Sequence, residues 1–150
     1  MAPAFDKTEY DARLARVRAV MQDRGLDALV IGDPTNINWL TGYESWSFYT
    51  PQMMLVDLHD GPFWMGRLMD AGAVSFTTYL TDAQVVGYPE PLVQRADIHP
   101  MDFLADWMTE HGFATSTIGY ESDVYYLSPR ATTALQAGLP NATWQDADLL

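Results

Sequence analysis

Four consecutive apolar residues, Ala28–Ile31, stand between Gly25 and the turn sequence Gly32-Asp33-Pro34. A run this short and uniformly apolar is typical of a β-strand covered on both faces, whereas a half-exposed strand alternates apolar and polar residues. Such a strand needs packing elements above and below its sheet. The run therefore predicts a central strand in a layered α/β domain.

The segment before this run has the periodicity of an amphipathic helix. Thr8 followed by Asp11 has the form of a capping box, so we expect the helix to begin there, and Gly25 is expected to end it. The apolar residues that recur at helical spacing are Tyr10, Leu14, Val17 and Met21.

Residues 53–58 and 63–68 are strand-like and flank the pair Asp60-Gly61, which favours an antiparallel hairpin. His99 before Pro100 is typical of a helix start. The other expected elements are a helical turn capped by Asn36 or Asn38 and ended by Gly42, a helix over 69–79, strands over 84–88, 117–120 and 142–144, a helix opening at Ser128-Pro129, and a tail over 146–150. This order indicates a single domain with a mixed sheet.

Composition excludes several classes of function. The formal net charge of -12 in 150 residues would repel a nucleic-acid backbone. Cysteine is absent, which is compatible with a reducing compartment. No run approaches the roughly 20 apolar residues of a membrane span, and residues 1–6 lack the order of a signal peptide. We therefore expect a cytoplasmic protein that binds neither nucleic acid nor membrane.

Signatures of catalysis are missing from the sequence. There is no phosphate-binding glycine loop, dinucleotide fingerprint, zinc-helix motif or nucleophile elbow. Asp57, His59 and Asp60 are the nearest approach to a metal cluster, but turn chemistry already explains Asp60-Gly61, and a hairpin tip lacks the groups that orient metal ligands. We expect no catalytic residue and no metal ligand in this chain.

Residues 43–49, Tyr-Glu-Ser-Trp-Ser-Phe-Tyr, are too aromatic and too polar for one buried strand. Loops rich in large aromatic side chains often form binding surfaces, because the rings bury much area and lose little rotamer entropy. Alternatively, these rings fill the gap between the first helix and the sheet, or form a dimer interface. The sequence leaves these alternatives open.

Several segments resemble the amino-terminal domain of the creatinase/prolidase family. The resemblance covers nearly the whole chain and is carried by residues 33–43 (DPTNINWLTGY), 25–29 (GLDAL), 118–121 (IGYE) and 139–142 (LPNA). Other blocks are similar to the ectoine-hydrolase branch of that family: residues 46–49 (WSFY) with Gln52, 66–71 (GRLMDA), 87–89 (GYP), Val93-Gln94 and 99–102 (HPMD).

The resemblance implies a mixed β-sheet flanked by helices on both faces, with ribonuclease H-like architecture, as one domain over residues 1–150. It also implies that a catalytic "pita-bread" domain, absent from this chain, completes a homodimeric hydrolase. A divalent metal would lie in that missing domain if the protein needs one. The isolated chain is then expected to show no hydrolase activity.

The resemblance further implies a role for the aromatic residues. In creatinases, the loop that matches residues 43–52 lends side chains to the active site of the neighbouring subunit, and Phe48 aligns with an aromatic substrate contact. The expected substrate-binding residues are Trp46, Phe48, Tyr49 and Gln52. Thr50 stands where creatinases have a carboxylate-binding arginine, which argues against creatine and suggests a small cyclic amidine acid.

Three interpretations follow from the sequence. The first is the non-catalytic amino-terminal domain of a C–N hydrolase resembling ectoine hydrolases, which contributes to the substrate pocket and the dimer contact. The second is the corresponding domain of an X-Pro dipeptidase or aminopeptidase. The third is a stand-alone peptide- or protein-binding module.

Overall fold

The computed structural model describes residues 3–148. The α-helices are α1 Lys7–Asp23, α2 Pro34–Thr41, α3 Gly72–Thr77, α4 Pro100–Glu110 and α5 Pro129–Gly138. The strands are β1 Ala28–Ile31, β2 Met53–Asp57, β3 Phe63–Arg67, β4 Val85–Tyr88, β5 Thr117–Tyr120 and β6 Thr143–Asp146. Short 3-10 turns cover Leu68–Asp70, Asp82–Gln84 and Glu90–Leu92.

The strands form one mixed sheet in the order β4-β3-β2-β1-β5-β6. The predicted hairpin is confirmed, since β2 and β3 are antiparallel neighbours. Strand β2 runs against all the others, because it is antiparallel to β1 and β3 while the β1–β5, β3–β4 and β5–β6 pairs are parallel. The carboxyl ends of five strands and the start of β2 therefore share one edge of the sheet, the carboxyl edge.

Helices cover both faces of the sheet, as predicted. Strand β1 is buried along its whole length and alternates between the two cores, with Val30 in one and Leu29 in the other. The first core joins α4 and α5 to the sheet through Met101, Leu104, Met108, Ala131 and Leu135. The second joins α1, α2 and α3 through Met21, Ile37, Leu40 and Val74.

The predicted start of α1 is wrong. The N-cap is Asp6, whose backbone is extended and whose carbonyl accepts a hydrogen bond from Glu9 N at 3.0 Å. Thr8 already lies inside the helix, so the capping box with Asp11 does not form. The helix ends close to the predicted position. Asp23 is its last residue, and Gly25 follows in a left-handed conformation with φ 67°.

The predicted cap of α2 is also wrong. Asp33 is the N-cap, and its side chain accepts hydrogen bonds from the backbone N–H groups of Thr35 and Asn36. Asn36 and Asn38 both lie within the helix. Gly42, with φ 81°, ends it as predicted.

The carboxyl-terminal segment is more ordered than the expected tail over 146–150. Strand β6 continues to Asp146, and Ala147 N donates to Tyr120 O at 2.9 Å. The Asp148 carboxylate accepts hydrogen bonds from Ser122 Oγ and Asp123 N. Leu149 and Leu150 of the expected tail lie outside the described residues. Met1 and Ala2, part of the segment 1–6 that lacks the order of a signal peptide, also lie outside them. Within residues 3–148, no helix combines the length and apolar character that crossing a membrane would require.

Candidate functional site

A cleft of about 180 Å³ opens at the carboxyl edge, between the end of β1 and the start of β2. This edge is where open α/β sheets commonly bind ligands. Two segments form most of its walls: residues 43–52, which we name the aromatic loop, and residues 122–128, which we name the tyrosine loop. The lining residues are Gly32, Pro34, Ile37, Tyr43, Trp46, Ser47, Phe48, Tyr49, Thr50, Pro51, Gln52, Tyr125, Tyr126 and Ser128, none of which carries a formal charge.

Three rings of the aromatic loop are exposed at this cleft. Phe48 is 84% exposed, and Trp46 and Tyr49 are about half exposed. They therefore do not fill the space between α1 and the sheet. Tyr43 is the ring that is buried, and it packs against Trp64 with 5.7 Å between ring centroids.

The tyrosine loop provides a second aromatic wall that the sequence analysis missed. The Tyr126 ring meets Trp46 edge-on, with centroids 5.4 Å apart, and Phe48 lies 6.3 Å from Trp46 on the same centroid measure. Tyr125 also lines the cleft and is fully exposed. The sequence did carry a signal, the pair Tyr125-Tyr126 between the expected strand over 117–120 and the helix start at Ser128. A pair in this position follows the carboxyl end of a strand, so it lies near the carboxyl edge of the sheet.

Gln52 lies in the cleft wall but is only 7% exposed. Its Oε1 accepts a hydrogen bond from Ser47 N at 2.9 Å, and its Nε2 donates to the Tyr43 hydroxyl at 3.2 Å. Burial raises the pKa of Tyr43, so this hydroxyl stays protonated at neutral pH. The observed contacts of Gln52 thus hold the aromatic loop, and its contact with a substrate stays a prediction.

Further hydrogen bonds fix the base of the aromatic loop. The hydroxyls of Ser47 and Thr50 are hydrogen-bonded to each other, and Thr50 N donates to Ser47 Oγ at 3.1 Å. The Tyr88 hydroxyl donates to the carbonyl of Pro51 at 2.7 Å, and burial raises the pKa of Tyr88. The Thr50 hydroxyl is therefore engaged with Ser47.

The Asp57, His59 and Asp60 group serves the hairpin turn. Asp57 Oδ1 accepts hydrogen bonds from the backbone N–H groups of His59, Asp60 and Gly61 at 3.3, 2.9 and 2.6 Å. Arg18 Nη2 also lies 3.5 Å from the same oxygen. In the part of the chain that the structure describes, no cluster of three or more His, Asp or Glu side chains could hold a metal ion.

This arrangement is suited to binding a small molecule. The described lining residues offer aromatic faces, hydroxyls and one amide, with no carboxylate or imidazole to act as a general acid or base. Aromatic faces attract delocalised cations, and the loop that presents them is held in place by its own hydrogen bonds. The cleft can therefore hold a small planar or cationic group in a fixed orientation.

Comparison with known proteins gives consistent results. Residues 13–150 match the creatinase/prolidase N-terminal domain family. The chain is 43% identical over 147 residues to the ectoine hydrolase of Halomonas elongata, which covers 97% of this chain and 37% of that protein. It is 40% identical over 148 residues to an uncharacterized hydrolase/peptidase of Sinorhizobium fredii, covering 97% and 38%. The chain thus spans less than two fifths of the length of these relatives.

Solved structures share the fold. A proline dipeptidase from Streptococcus pneumoniae superposes with a TM-score of 0.72 at 19% identity, covering 91% of each chain. The creatinase/prolidase N-terminal domain of an X-Pro dipeptidase from Streptococcus pyogenes also gives 0.72, at 18% identity, covering 90% of this chain and 92% of that one. At these identities the likeness concerns the fold alone.

Proposed function

Because the chain belongs to the creatinase/prolidase N-terminal domain family, we propose that it is the non-catalytic domain of a longer C–N hydrolase, the parent hydrolase. In this proposal the aromatic cleft contacts the substrate, and a second domain supplies the reacting groups. The uncharged aromatic cleft at the carboxyl edge is the observation that supports this role. The identity to an ectoine hydrolase over 97% of the chain supports ectoine, a small cyclic amidine acid, as the substrate.

The rings explain how such a substrate would be held. A protonated amidine is a flat, delocalised cation, and it would stack on the exposed faces of Trp46 or Phe48. Such a contact stabilises the complex by about 1–2 kcal/mol once water is excluded. Tyr126 would close the cleft from the opposite loop, since its ring already meets Trp46.

The carboxylate of the substrate needs an anchor elsewhere. None of the described lining residues is charged, and Thr50 is hydrogen-bonded to Ser47. The net charge of -12 also favours the approach of cations over that of anions. We therefore place the carboxylate-binding group in the second domain, together with any divalent metal that the reaction requires.

Dipeptidase activity is the second candidate. The solved structures named above come from proline and X-Pro dipeptidases, but their identities of 19% and 18% support the fold only. A stand-alone peptide-binding module is the third candidate. The match to an ectoine hydrolase over 97% of this chain and 37% of that protein favours a domain of a longer enzyme over this candidate.

We also propose that the exposed rings are covered in a homodimer and that the protein acts in the cytoplasm. Phe48 is 84% exposed and Tyr125 is fully exposed, and clustered apolar surface of this kind commonly marks an interaction site. A neighbouring subunit that seats the aromatic loop would both cover these rings and complete the substrate site.

Kinetics of the parent hydrolase test the proposal. We expect at least one of the variants Trp46→Ala and Phe48→Ala to raise KM for ectoine by about tenfold, as the loss of one cation–π contact predicts. Phe76→Ala is the matched control, because Phe76 is similarly exposed and does not line the cleft. Unchanged kinetics in both cleft variants would contradict the proposed contact, and turnover of Xaa-Pro dipeptides in place of ectoine would favour the second candidate.

A further inference from the structure

Arg67 ends β3 at the carboxyl edge and is held by two carboxylates. Its Nε and Nη2 donate to the two oxygens of Asp70 at 3.1 and 2.8 Å, and its Nη1 lies 3.5 Å from Glu90 Oε1. The hydrogen bonds to Asp70 raise the pKa of Arg67. The side chain is mostly buried, so this two-point contact fixes the plane of the guanidinium group.

The same guanidinium group reaches the aromatic loop. Nη1 donates a hydrogen bond to the Tyr49 hydroxyl at 3.3 Å, and the central carbon lies 5.6 Å from the centroid of the Tyr49 ring. Tyr88, the register partner of Arg67 in β4, donates to the carbonyl of Pro51. The ends of β3 and β4 therefore hold the loop at two neighbouring points.

We propose that Arg67 is a positioning residue of the aromatic cleft, which acts by fixing the ring of Tyr49. This inference rests on the proposed function, since it assigns a purpose to a contact within the substrate cleft. Asp70 orients Arg67, Arg67 orients Tyr49, and Tyr49 forms the wall of the cleft on the β3 side.

Arg67 is poorly placed to bind the substrate carboxylate itself. Asp70 and Glu90 already balance its charge, and an incoming anion would approach two carboxylates. The guanidinium group also lies against the Tyr49 ring, so that ring already has a cation as its neighbour. The arrangement leaves Trp46 and Phe48 as the rings that accept the cation and makes Tyr49 a boundary of the cleft.

Limited proteolysis of the 150-residue chain tests, without any substrate, whether Arg67 holds Tyr49 and the aromatic loop in place. The domain is expected to stay folded alone, because the similar Streptococcus pyogenes chain is an N-terminal domain of the same extent. Chymotrypsin cleaves after aromatic residues, and both loops carry exposed ones. We expect Arg67→Met to speed cleavage after Phe48 and Tyr49 by about tenfold, as the loss of a charge-assisted hydrogen bond predicts when local opening limits cleavage.

Two controls separate loop release from unfolding. Cleavage after Tyr125, which is already fully exposed, should stay at the wild-type rate, and Arg95→Met, which breaks the exposed pair with Asp97, should change neither loop. If Arg67→Met unfolds the chain, Tyr49→Phe replaces it. That variant removes only the exposed acceptor hydroxyl and should speed cleavage in the aromatic loop by about threefold.

Steady-state kinetics of the parent hydrolase provide the second readout. Arg67→Met should raise KM for ectoine by about tenfold and change kcat by less than about threefold, because it disturbs binding rather than the chemical step. Arg67→Lys should not restore KM, because an ammonium group cannot span both oxygens of Asp70 and reach Tyr49. Adding Tyr49→Phe to Arg67→Met should cause no further rise, since the two residues act as one unit.

The outcomes are distinct. If cleavage of the aromatic loop is unchanged in both Arg67→Met and Tyr49→Phe, Arg67 does not hold the loop. If cleavage is faster but KM is unchanged, Arg67 holds the loop without positioning the substrate cleft. If the wild-type parent hydrolase does not hydrolyse ectoine, the proposed substrate fails, while proteolysis still decides whether Arg67 holds Tyr49.

Discussion

Glu121, which follows β5, is hydrogen-bonded to the turn that follows β1. One carboxylate oxygen accepts hydrogen bonds from Gly32 N and Asp33 N, both at 2.7 Å, and the other accepts one from the Asn36 side chain. Glu121 is itself buried just after β5. It therefore fixes the turn that leads from β1 into α2, and Gly32 and Pro34 of this turn line the cleft.

We expect Glu121→Ala to lower the free energy of unfolding by about 2–4 kcal/mol, because two backbone N–H groups at a buried turn would lose their acceptor. Urea unfolding followed by circular dichroism measures this. Asp106→Ala, a change at an exposed acidic residue on α4, should cost less than about 0.5 kcal/mol. Equal stability of the two variants would show that Glu121 does not organise the turn.

At the residue scale, the exposed rings of the site could be predicted from the sequence. The hydrogen bonds and ring contacts that hold these rings in place could not. Trp46, Phe48 and Tyr49 stood out as aromatic residues in a polar run, and all three line the cleft. The hydrogen bonds of Gln52 depend on the path of the loop, which composition does not specify. Tyr126 was missed because it is distant in sequence and is brought to Trp46 only by the strand order.

The start of α4 is a reciprocal cap that depends on a neutral histidine. His99 Nδ1 accepts a hydrogen bond from Met101 N at 3.1 Å, and His99 N donates to Asp102 Oδ2 at 2.8 Å. Burial lowers the pKa of His99 below its ordinary value of 6.5; nearby Arg130 contributes to this shift and Asp102 opposes it. A protonated Nδ1 could no longer accept the hydrogen bond from Met101.

This cap predicts a pH dependence of stability. Because the folded-state pKa lies below the unfolded value of 6.5, the contribution of His99 is fully present above pH 6.5 and is lost as pH falls toward the folded-state pKa. Asparagine also caps helices but does not titrate, so His99→Asn should gain stability relative to wild type between about pH 7 and about pH 5. Urea unfolding across that range, with His111→Asn as control, measures the difference. A difference that does not change with pH would contradict the role of the cap.

At the element scale, apolar runs predicted the strands and glycines predicted the helix ends. The starts of α1 and α2 were wrong because several capping residues stand close together, and backbone direction selects Asp6 and Asp33 among them. The helix expected over 69–79 is limited to α3, because Leu68–Asp70 forms a 3-10 turn that the Arg67–Asp70 contact holds against the end of β3.

At the scale of the whole molecule, the strand order creates the site. In the described sheet β2 runs against the other five strands, so the loop that enters β2 and the loop that leaves β5 meet at the same edge. The fold class followed from an apolar central strand between helical segments and from the family resemblance. The strand order did not follow from the sequence, because pairing between distant strands leaves no local pattern.

The central claim is that the aromatic cleft of this chain holds the substrate of the parent hydrolase. A crystal structure of that hydrolase with ectoine bound tests it most directly. The predicted result is an amidine group within about 6 Å of the ring centroid of Trp46 or Phe48, with the carboxylate bound by the second domain. Ectoine bound at a site that no residue of the cleft lines would contradict the claim.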